Sequence, residues 1–364
     1  MIIGIDAKAL TIKYPCGLKT YAYELILHLA KIDQRNTYYI FSPQPVSIPH
    51  KHNFRNIYPP QNVRFLPWQL LMPILLLQHP TTIFHFLNYH GSVFLWHPKI
   101  ITTIHDWARS SDYPTIVQNL KYGLMNYYVQ LVRTITCAKT RFFICDSRFT
   151  RRELHKHFSA NTPSAVVYLA STKTFNRRIA KSDQRRLVLL FADFSPRKNT
   201  VRALEAYTQL PHSIKKMYPL HIVCSMKDPL PMLNQTLIRL NVTNFVNIKV
   251  GYSTNQLNHM YNQSAVLLYP SLHEGFGLPI LEAMSHGCPV ITANGSATKE
   301  VAGKAALLVN PTSIPELHGA LFDILTQSGL RQKLQKKGLE RSLQFSWEKT
   351  ARLTLLLYEK SARL

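Results

Sequence analysis

Short apolar runs of strand length alternate along this chain with longer stretches of helical period, and the alternation starts twice. The first series opens at Ile2-Ile3-Gly4-Ile5 and continues at Tyr38–Phe41, Ile83–Phe86, Ile100–Ile104 and Phe142–Cys145. Helical periods lie between these runs. Tyr21, Leu25, Leu29 and Ile32 share one stripe after a loop holding Pro15 and Gly17, and Val117–Thr136 reads as a longer helix. The second series opens at Leu187–Phe191, followed by a helix from about Thr200 with Val201, Leu204 and Leu210 as its apolar positions. It goes on through Leu220–Cys224, Val246–Val250, Ala265–Tyr269 and Pro289–Thr292. Strands alternating with helices predict parallel sheets covered on both faces. Asn176–Arg186, polar, basic and without an apolar period, separates the two series. The expected architecture is α/β: one doubly wound, Rossmann-like domain over residues 1–175 and a second over 185–345. Such domains bind ligands at the carboxyl ends of their strands, so a cleft facing those ends is expected.

The chain of 364 residues suits two domains of roughly 100–200 residues each. Its 46% hydrophobic content is enough for two cores and excludes disorder as the main state. The five cysteines are odd in number and include no Cys-x-x-Cys pair, so they read as reduced thiols of a cytosolic protein. The start, MIIGIDAKAL, has no basic region before an apolar run and does not read as a signal peptide. Phe65–Gln78 is apolar but short, and contains Pro67 and Pro73. A spanning helix needs about 20 apolar residues, so no bilayer crossing is expected there. That segment has two readings, a buried helix of the first domain or an interfacial element held against anionic lipid.

The net charge of +24 directs attention to anionic partners: nucleic acid, an anionic membrane or a phosphorylated ligand. The charge is scattered, with no block of five like residues, which argues against a nucleic-acid arm.

The most informative segment is HEGFGLPILEAMSHGCPV, residues 273–290, which follows the strand Ala265–Tyr269 and a Pro270 stop. Pro279 suits the first turn of a helix, and Gly287 with Pro289 ends it. Gly275 and Gly277 let the backbone approach a ligand, and the helix start adds partial positive charge, which together make an anion seat. Glu274 on the loop and Glu282 near the first helical turn suit a ligand that carries hydroxyls beside its phosphates, as a nucleotide sugar does. His50 with His52, and His155 with His157, are two residues apart and do not share a helical face, so neither pair reads as a metal site. His273 and His286 flank the signature and read as solvated or core residues. Asp106, which could orient His105 or cap a helix, reads as structural.

With Glu274 and Glu282 eight positions apart inside EGFGLPILEA, followed by GCPVIT, the chain resembles the family-4 retaining glycosyltransferases, which adopt the GT-B fold. The likeness spans nearly the whole chain: GIDAKAL near the start, TIHDWA at 103–108, DSRFTRREL at 146–154, SPRKN at 195–199 and EVAGKAALLVNP at 300–311 fall in the family's order. FSWEKTA at 345–351 resembles the closing helix, which in that fold returns to the first domain, here as residues 346–364. The variant is similar to bacterial mannosyltransferases of O-antigen and capsule assembly.

The resemblance implies roles. Glu282 would bond the ribose hydroxyls of the donor, and Glu274 the hydroxyls of its sugar. The amides of Gly275, Phe276, Gly277 and Leu278 would serve the diphosphate and sugar, and Lys198 would neutralise the diphosphate. His105 would hydrogen-bond the transferred sugar, and Gly17 would sit near the phosphates or acceptor. It also implies a nucleotide-sugar donor, with GDP-mannose the first expectation, and a lipid-linked saccharide acceptor. No cofactor and no metal is implied, and the reaction would take place at the inner face of the cytoplasmic membrane. Two positions depart from the family pattern. Asp193 stands where many members carry an arginine, so Arg197 would supply the second cation. Lys19 stands where a second glycine or an arginine is common, and would serve the phosphate. On these departures, a nucleotide-sugar or anionic-glycan binding protein with impaired catalysis is the alternative reading.

Overall fold

The computed structural model describes residues 1–63, 67–107, 120–158, 160–172, 184–192, 195–225 and 230–363, and side chains of the Leu120–Lys139 helix from Tyr127 onward. Asp193, the start of the helix expected at Val117, and most of the expected linker lie outside the described residues.

Seven strands build the first sheet: β1 (Ile2–Asp6), β2 (Thr37–Phe41), β3 (Phe54–Ile57), β4 (Ile83–Phe86), β5 (Ile100–Ile104), β6 (Thr140–Cys145) and β7 (Ser164–Val166). They run in the order β3-β2-β1-β4-β5-β6-β7, every pairing parallel. β4 and β5 are buried along their whole length and are mostly apolar, with His85, Thr102 and Thr103 their only polar side chains. The helix Gly17–Ile32 buries Tyr21, Leu25 and Leu29, the stripe its periodicity predicted. Trp68–Gln78 forms a helix that buries Trp68, Leu71, Met72, Leu75 and Leu76 with Phe41, Phe84 and Phe86. Its other face leaves Leu70, Ile74 and Leu77 exposed, Leu77 at 84%.

The second sheet comprises β8 (Leu187–Phe191), β9 (Leu220–Cys224), β10 (Val246–Val250), β11 (Ser264–Tyr269), β12 (Val290–Ala293) and β13 (Leu307–Val309). It is again all parallel, in the order β10-β9-β8-β11-β12-β13. Its core gathers Val188, Leu190, Leu204, Tyr207, Ile222, Val266, Leu268 and Ile291 with Leu317, Leu321 and Ile324. In both sheets the strand order reverses around the first strand, between β1 and β4 and between β8 and β11, which marks the point where such sheets open a ligand crevice.

The chain divides into two compact units. One contains Met1–Trp107, the stretch ending at Leu169, and Ser346–Leu364; the other contains Ala170–Phe345. The last helix, Trp347–Arg363, thus packs within the first unit, its Trp347 ring 6.3 Å from that of Tyr21 and its Tyr358 hydroxyl 2.7 Å from Nδ1 of buried His85. Arg185, in the stretch expected to be a linker, is instead fully buried in the second unit, where its guanidinium donates to the carbonyls of Tyr261, Ser264 and His286. No disulfide joins the five cysteines; four of them are buried, and burial pushes the thiols of Cys137 and Cys288 up to about 12. No helix among the described residues is long and apolar enough to cross a membrane.

Candidate functional site

In the second unit, the loops after β8 and β11 meet at the reversal of strand order. After β8 comes the Ser195-Pro196-Arg197-Lys198 turn, closed by Asn199 in the left-handed conformation at φ 57°. The Asn199 amide donates to the carbonyls of Pro270 and Pro311, and the Arg197 carbonyl accepts the Leu272 N–H at 2.7 Å. These bonds fasten the basic turn to the loop that follows β11, although the two lie some seventy residues apart in sequence.

The fastening brings Lys198 to Glu274. Nζ lies 2.6 Å from Oε1, and Arg197 Nη1 lies 3.8 Å from Oε2. Tyr269, the last residue of β11, completes the group: its hydroxyl accepts from Lys198 Nζ at 2.9 Å and donates to Glu274 Oε1 at 2.9 Å. Glu274 is only 7% exposed. Burial alone would raise its pKa, but the charges of Lys198 and Arg197 and the hydrogen bonds from Lys198 and Tyr269 outweigh it and hold the carboxyl at about 2. Burial likewise opposes the Lys198 charge, and the facing carboxylate more than restores it, so the ammonium is held above its ordinary range.

Gly277 leads into the helix Leu278–Ser285 with φ 92°, a left-handed conformation that disfavours a side chain, and Pro279 stands in the first turn as its fixed φ requires. No side chain caps this helix start. Of its first-turn groups, Pro279 has no N–H and the Ile280 N–H bonds the Gly277 carbonyl at 3.0 Å, which leaves the Leu278 N–H beside the Gly275–Gly277 turn. Glu282 lies one turn further along, where its Oε2 accepts the Tyr261 hydroxyl at 2.8 Å; burial raises its pKa, and that hydrogen bond opposes the rise. Phe191, at the end of β8, has its ring 6.1 Å from Tyr261 and 6.5 Å from Tyr269. Each glutamate is thus held by a tyrosine, and both tyrosine rings neighbour the same phenylalanine. His286 stacks on Tyr261 and takes no place at the cluster; its Nδ1 pairs with the Glu282 carbonyl.

The remaining predicted residues belong to the first unit. Gly17 is the first residue of its helix rather than part of the loop before it, and the Lys19 ammonium donates to the Ile12 carbonyl at 2.6 Å. His105 follows β5. Its Nε2 lies 2.9 Å from the Leu87 carbonyl, which can only accept, so Nε2 carries a proton. Its Nδ1 lies 3.3 Å from Oδ2 of buried Asp146, and the Tyr21 ring meets the imidazole edge-on at 4.7 Å. Burial pushes the Asp146 carboxyl up to about 7, against the opposing pull of His105. The acid that orients the imidazole is therefore Asp146, from the DSRFTRREL run. Asp106, the neighbour in sequence, accepts the Tyr89 hydroxyl instead. Both ring nitrogens of His105 are thus engaged, by Leu87 and Asp146.

Sequence reasoning did not find Tyr269, Tyr261, Phe191 or Asp146. Tyr269 and Phe191 offered only their position, at the ends of the two strands that flank the reversal, whereas Asp146, directly after β6, opens the DSRFTRREL run. A separate cavity of about 790 Å³, lined by His221, Asn247, Lys249, Asn255, Gln256 and His259 among others, contains none of the predicted residues.

Comparison with known proteins bears on the family and the fold. The family model for Glycosyltransferase Family 4 matches residues 15–170, and that for Glycosyl transferases group 1 matches residues 171–341. The O-antigen chain mannosyltransferase B of Escherichia coli is 27% identical over 96% of this chain and 97% of its own. Sucrose-phosphate synthase from Thermosynechococcus elongatus superposes with a TM-score of 0.79 at 18% identity, covering 99% of this chain and 98% of its own. Anabaena HepE, solved with UDP-glucose, superposes with a TM-score of 0.73 at 14% identity over 99% of both chains. The two sheets are those of the GT-B fold, the two family models between them span nearly the whole sequence, and the chain belongs to the family-4 glycosyltransferases.

Proposed function

We propose that this glycosyltransferase moves mannose from GDP-mannose, with retention of configuration, to a lipid-linked saccharide in lipopolysaccharide O-antigen assembly. The observation that carries the donor assignment is the Lys198–Tyr269–Glu274 cluster beside the Gly275–Gly277 turn and an uncapped helix start. The choice of mannose and of O-antigen rests on the E. coli relative, which covers 96% of the chain. Lys198, Arg197 and the amides of Gly275 to Leu278 receive the diphosphate, Glu274 the sugar hydroxyls and Glu282 the ribose. His105 serves the transferred sugar, and Gly17 with Lys19 the phosphate or acceptor end.

The chemistry follows from where charge develops. As the bond between the anomeric carbon and the phosphate oxygen breaks, negative charge collects on the leaving diphosphate and positive charge on the sugar. Cations and amides already in place at the leaving oxygens stabilise that state, and one lost donor in such a site costs about 3–4 kcal/mol. The acceptor oxygen then bonds to the anomeric carbon while its proton passes to the leaving phosphate. Lys198, Arg197 and the helix start supply the neutralisation, so the reading requires no metal. The protein works in the cytoplasm, peripheral to the inner face of the membrane; the exposed apolar face of the Trp68–Gln78 helix and the +24 net charge support that placement.

The test is thermal unfolding with GDP, UDP, dTDP and ADP on wild type, Lys198→Ala and Glu282→Ala. A ligand at about 100 times its Kd adds roughly 2.7 kcal/mol, enough to move the midpoint. GDP is expected to stabilise wild type and neither variant. Stabilisation by another nucleotide alone would replace the donor, and an unchanged shift in both variants would overturn the site assignment. Donor binding without transfer to any acceptor would favour the reading as a binding protein.

A further inference from the structure

Lys198, Tyr269 and Glu274 close a ring of three hydrogen bonds, with the ammonium and the phenol both converging on Glu274 Oε1. The cation of the donor site is therefore matched by a buried carboxylate of the same site. This has a consequence for what can bind, and it rests on the donor-site reading above. A nucleoside diphosphate without a sugar can draw Lys198, and Arg197 beside it, to its phosphates only by leaving Glu274 buried and short of both cations, and breaking a buried pair while one partner stays behind is strongly unfavourable. A diphosphate carrying a sugar brings hydroxyl donors to Glu274 as its phosphates engage Lys198, so the pair separates with both partners satisfied. Tyr269 is suited to the exchange, because a phenol can donate to the carboxylate or accept from the ammonium, and so holds either one in place.

We propose that the Lys198–Tyr269–Glu274 triad discriminates between the nucleotide sugar and the bare nucleoside diphosphate, making firm capture of the diphosphate conditional on sugar hydroxyls, with Tyr269 as its positioning residue. Re-formation of the triad then favours release of the nucleoside diphosphate once the sugar has gone. The site resists inhibition by its own product through the same residues that seat the donor.

The experiment is calorimetric titration of the full chain with GDP and GDP-mannose, and with UDP and UDP-glucose, for wild type, Glu274→Gln, Tyr269→Phe and Lys198→Ala. Wild type is expected to bind the sugar nucleotide at least about tenfold more tightly than the matching diphosphate. Glu274→Gln keeps the shape and removes the charge, so it is expected to bind the bare diphosphate about tenfold more tightly than wild type and to lose most of the preference. Tyr269→Phe, with an unchanged folding midpoint, is expected to narrow the preference by a smaller factor, a change that packing alone would not produce. Lys198→Ala weakens both ligands. Diphosphate affinity that is unchanged or weaker in Glu274→Gln, with wild type still binding nucleotides, overturns the triad's role and leaves the donor site standing. Absence of binding by every nucleotide to wild type and Glu274→Gln alike overturns both.

Discussion

Asp6 ends β1 with its carboxyl buried, Oδ1 accepting the Lys8 N–H at 3.1 Å and the Trp68 Nε1–H at 3.3 Å. Burial pushes this acid up to about 6, against those bonds and the Lys8 charge. An acid whose pKa is higher in the folded state destabilises the fold as pH rises from its unfolded value through its folded one, because the unfolded chain releases its proton first. Asp6→Asn keeps the acceptor and removes the ionisation. It is expected to raise the unfolding free energy by about 1–3 kcal/mol near pH 8 and to change it little near pH 4, as read from denaturant melts at both. Equal stability of the two proteins at both values would count against a raised Asp6. Legibility at this scale was uneven. Glu274, Lys198 and Arg197 stand in short motifs whose residue types already suggest phosphates and hydroxyls. Their partners Tyr269 and Tyr261 do not, because a tyrosine hydroxyl gains its meaning from what the register of β11 and the helix Thr254–Gln263 sets opposite it. Asp146 was missed for the same reason: it reaches His105 across the β5–β6 pairing, forty-one positions along the chain.

The helix Leu278–Ser285 depends on one residue in its approach. A Cβ on Gly277 would lie 3.1 Å from Ile280 Cδ1, which a flexible side chain can relieve, but the φ of 92° remains costly. Gly277→Ala is expected to lose about 1–2 kcal/mol of stability and to bind the donor nucleotide more weakly, since the relaxed turn would re-aim the amides beside it. A variant that unfolds earlier yet binds its nucleotide at full strength would show that the turn serves the fold alone. The elements easiest to read were the central strands, buried on both faces and so mostly apolar. The strands not anticipated, β3, β7 and β13, all lie at sheet edges and are three or four residues long, too short to carry a period. Trp68–Gln78 satisfied the expectation of a buried helix on one face only, because an almost wholly apolar helix covers its sheet with one stripe and presents the same chemistry to solvent with the other.

Across the molecule, that exposed stripe is joined to a second apolar feature. Gln69 exchanges hydrogen bonds with the Gly91–Val93 loop, which carries Phe94 and Trp96 into solvent, Trp96 at 80% exposure. On a chain of net charge +24, exposed Leu77, Ile74, Phe94 and Trp96 suit an anionic lipid surface. The full chain is expected to co-sediment with phosphatidylglycerol-rich vesicles at low salt and to be released as salt rises. A Leu77→Asp, Trp96→Ala double variant is expected to bind several-fold less. Failure to sediment at low salt would remove membrane contact from the proposed function.

By itself the sequence determined the inner strands of two sheets, their parallel sense, the helices between them and the SPRKN and EGFGLPILEA motifs, because hydrophobic period, glycine and proline act locally and are written in residue order. Only the tertiary structure decided which groups satisfy one another. Tyr269 closes on Lys198 and Glu274, Asp146 rather than Asp106 holds His105, Arg185 enters a core instead of a linker, and the last helix brings Tyr358 to buried His85. Each is a polar contact between residues distant in sequence, demanded by burial, and the partner is whichever donor or acceptor the packed strands and helices carry to within hydrogen-bond reach.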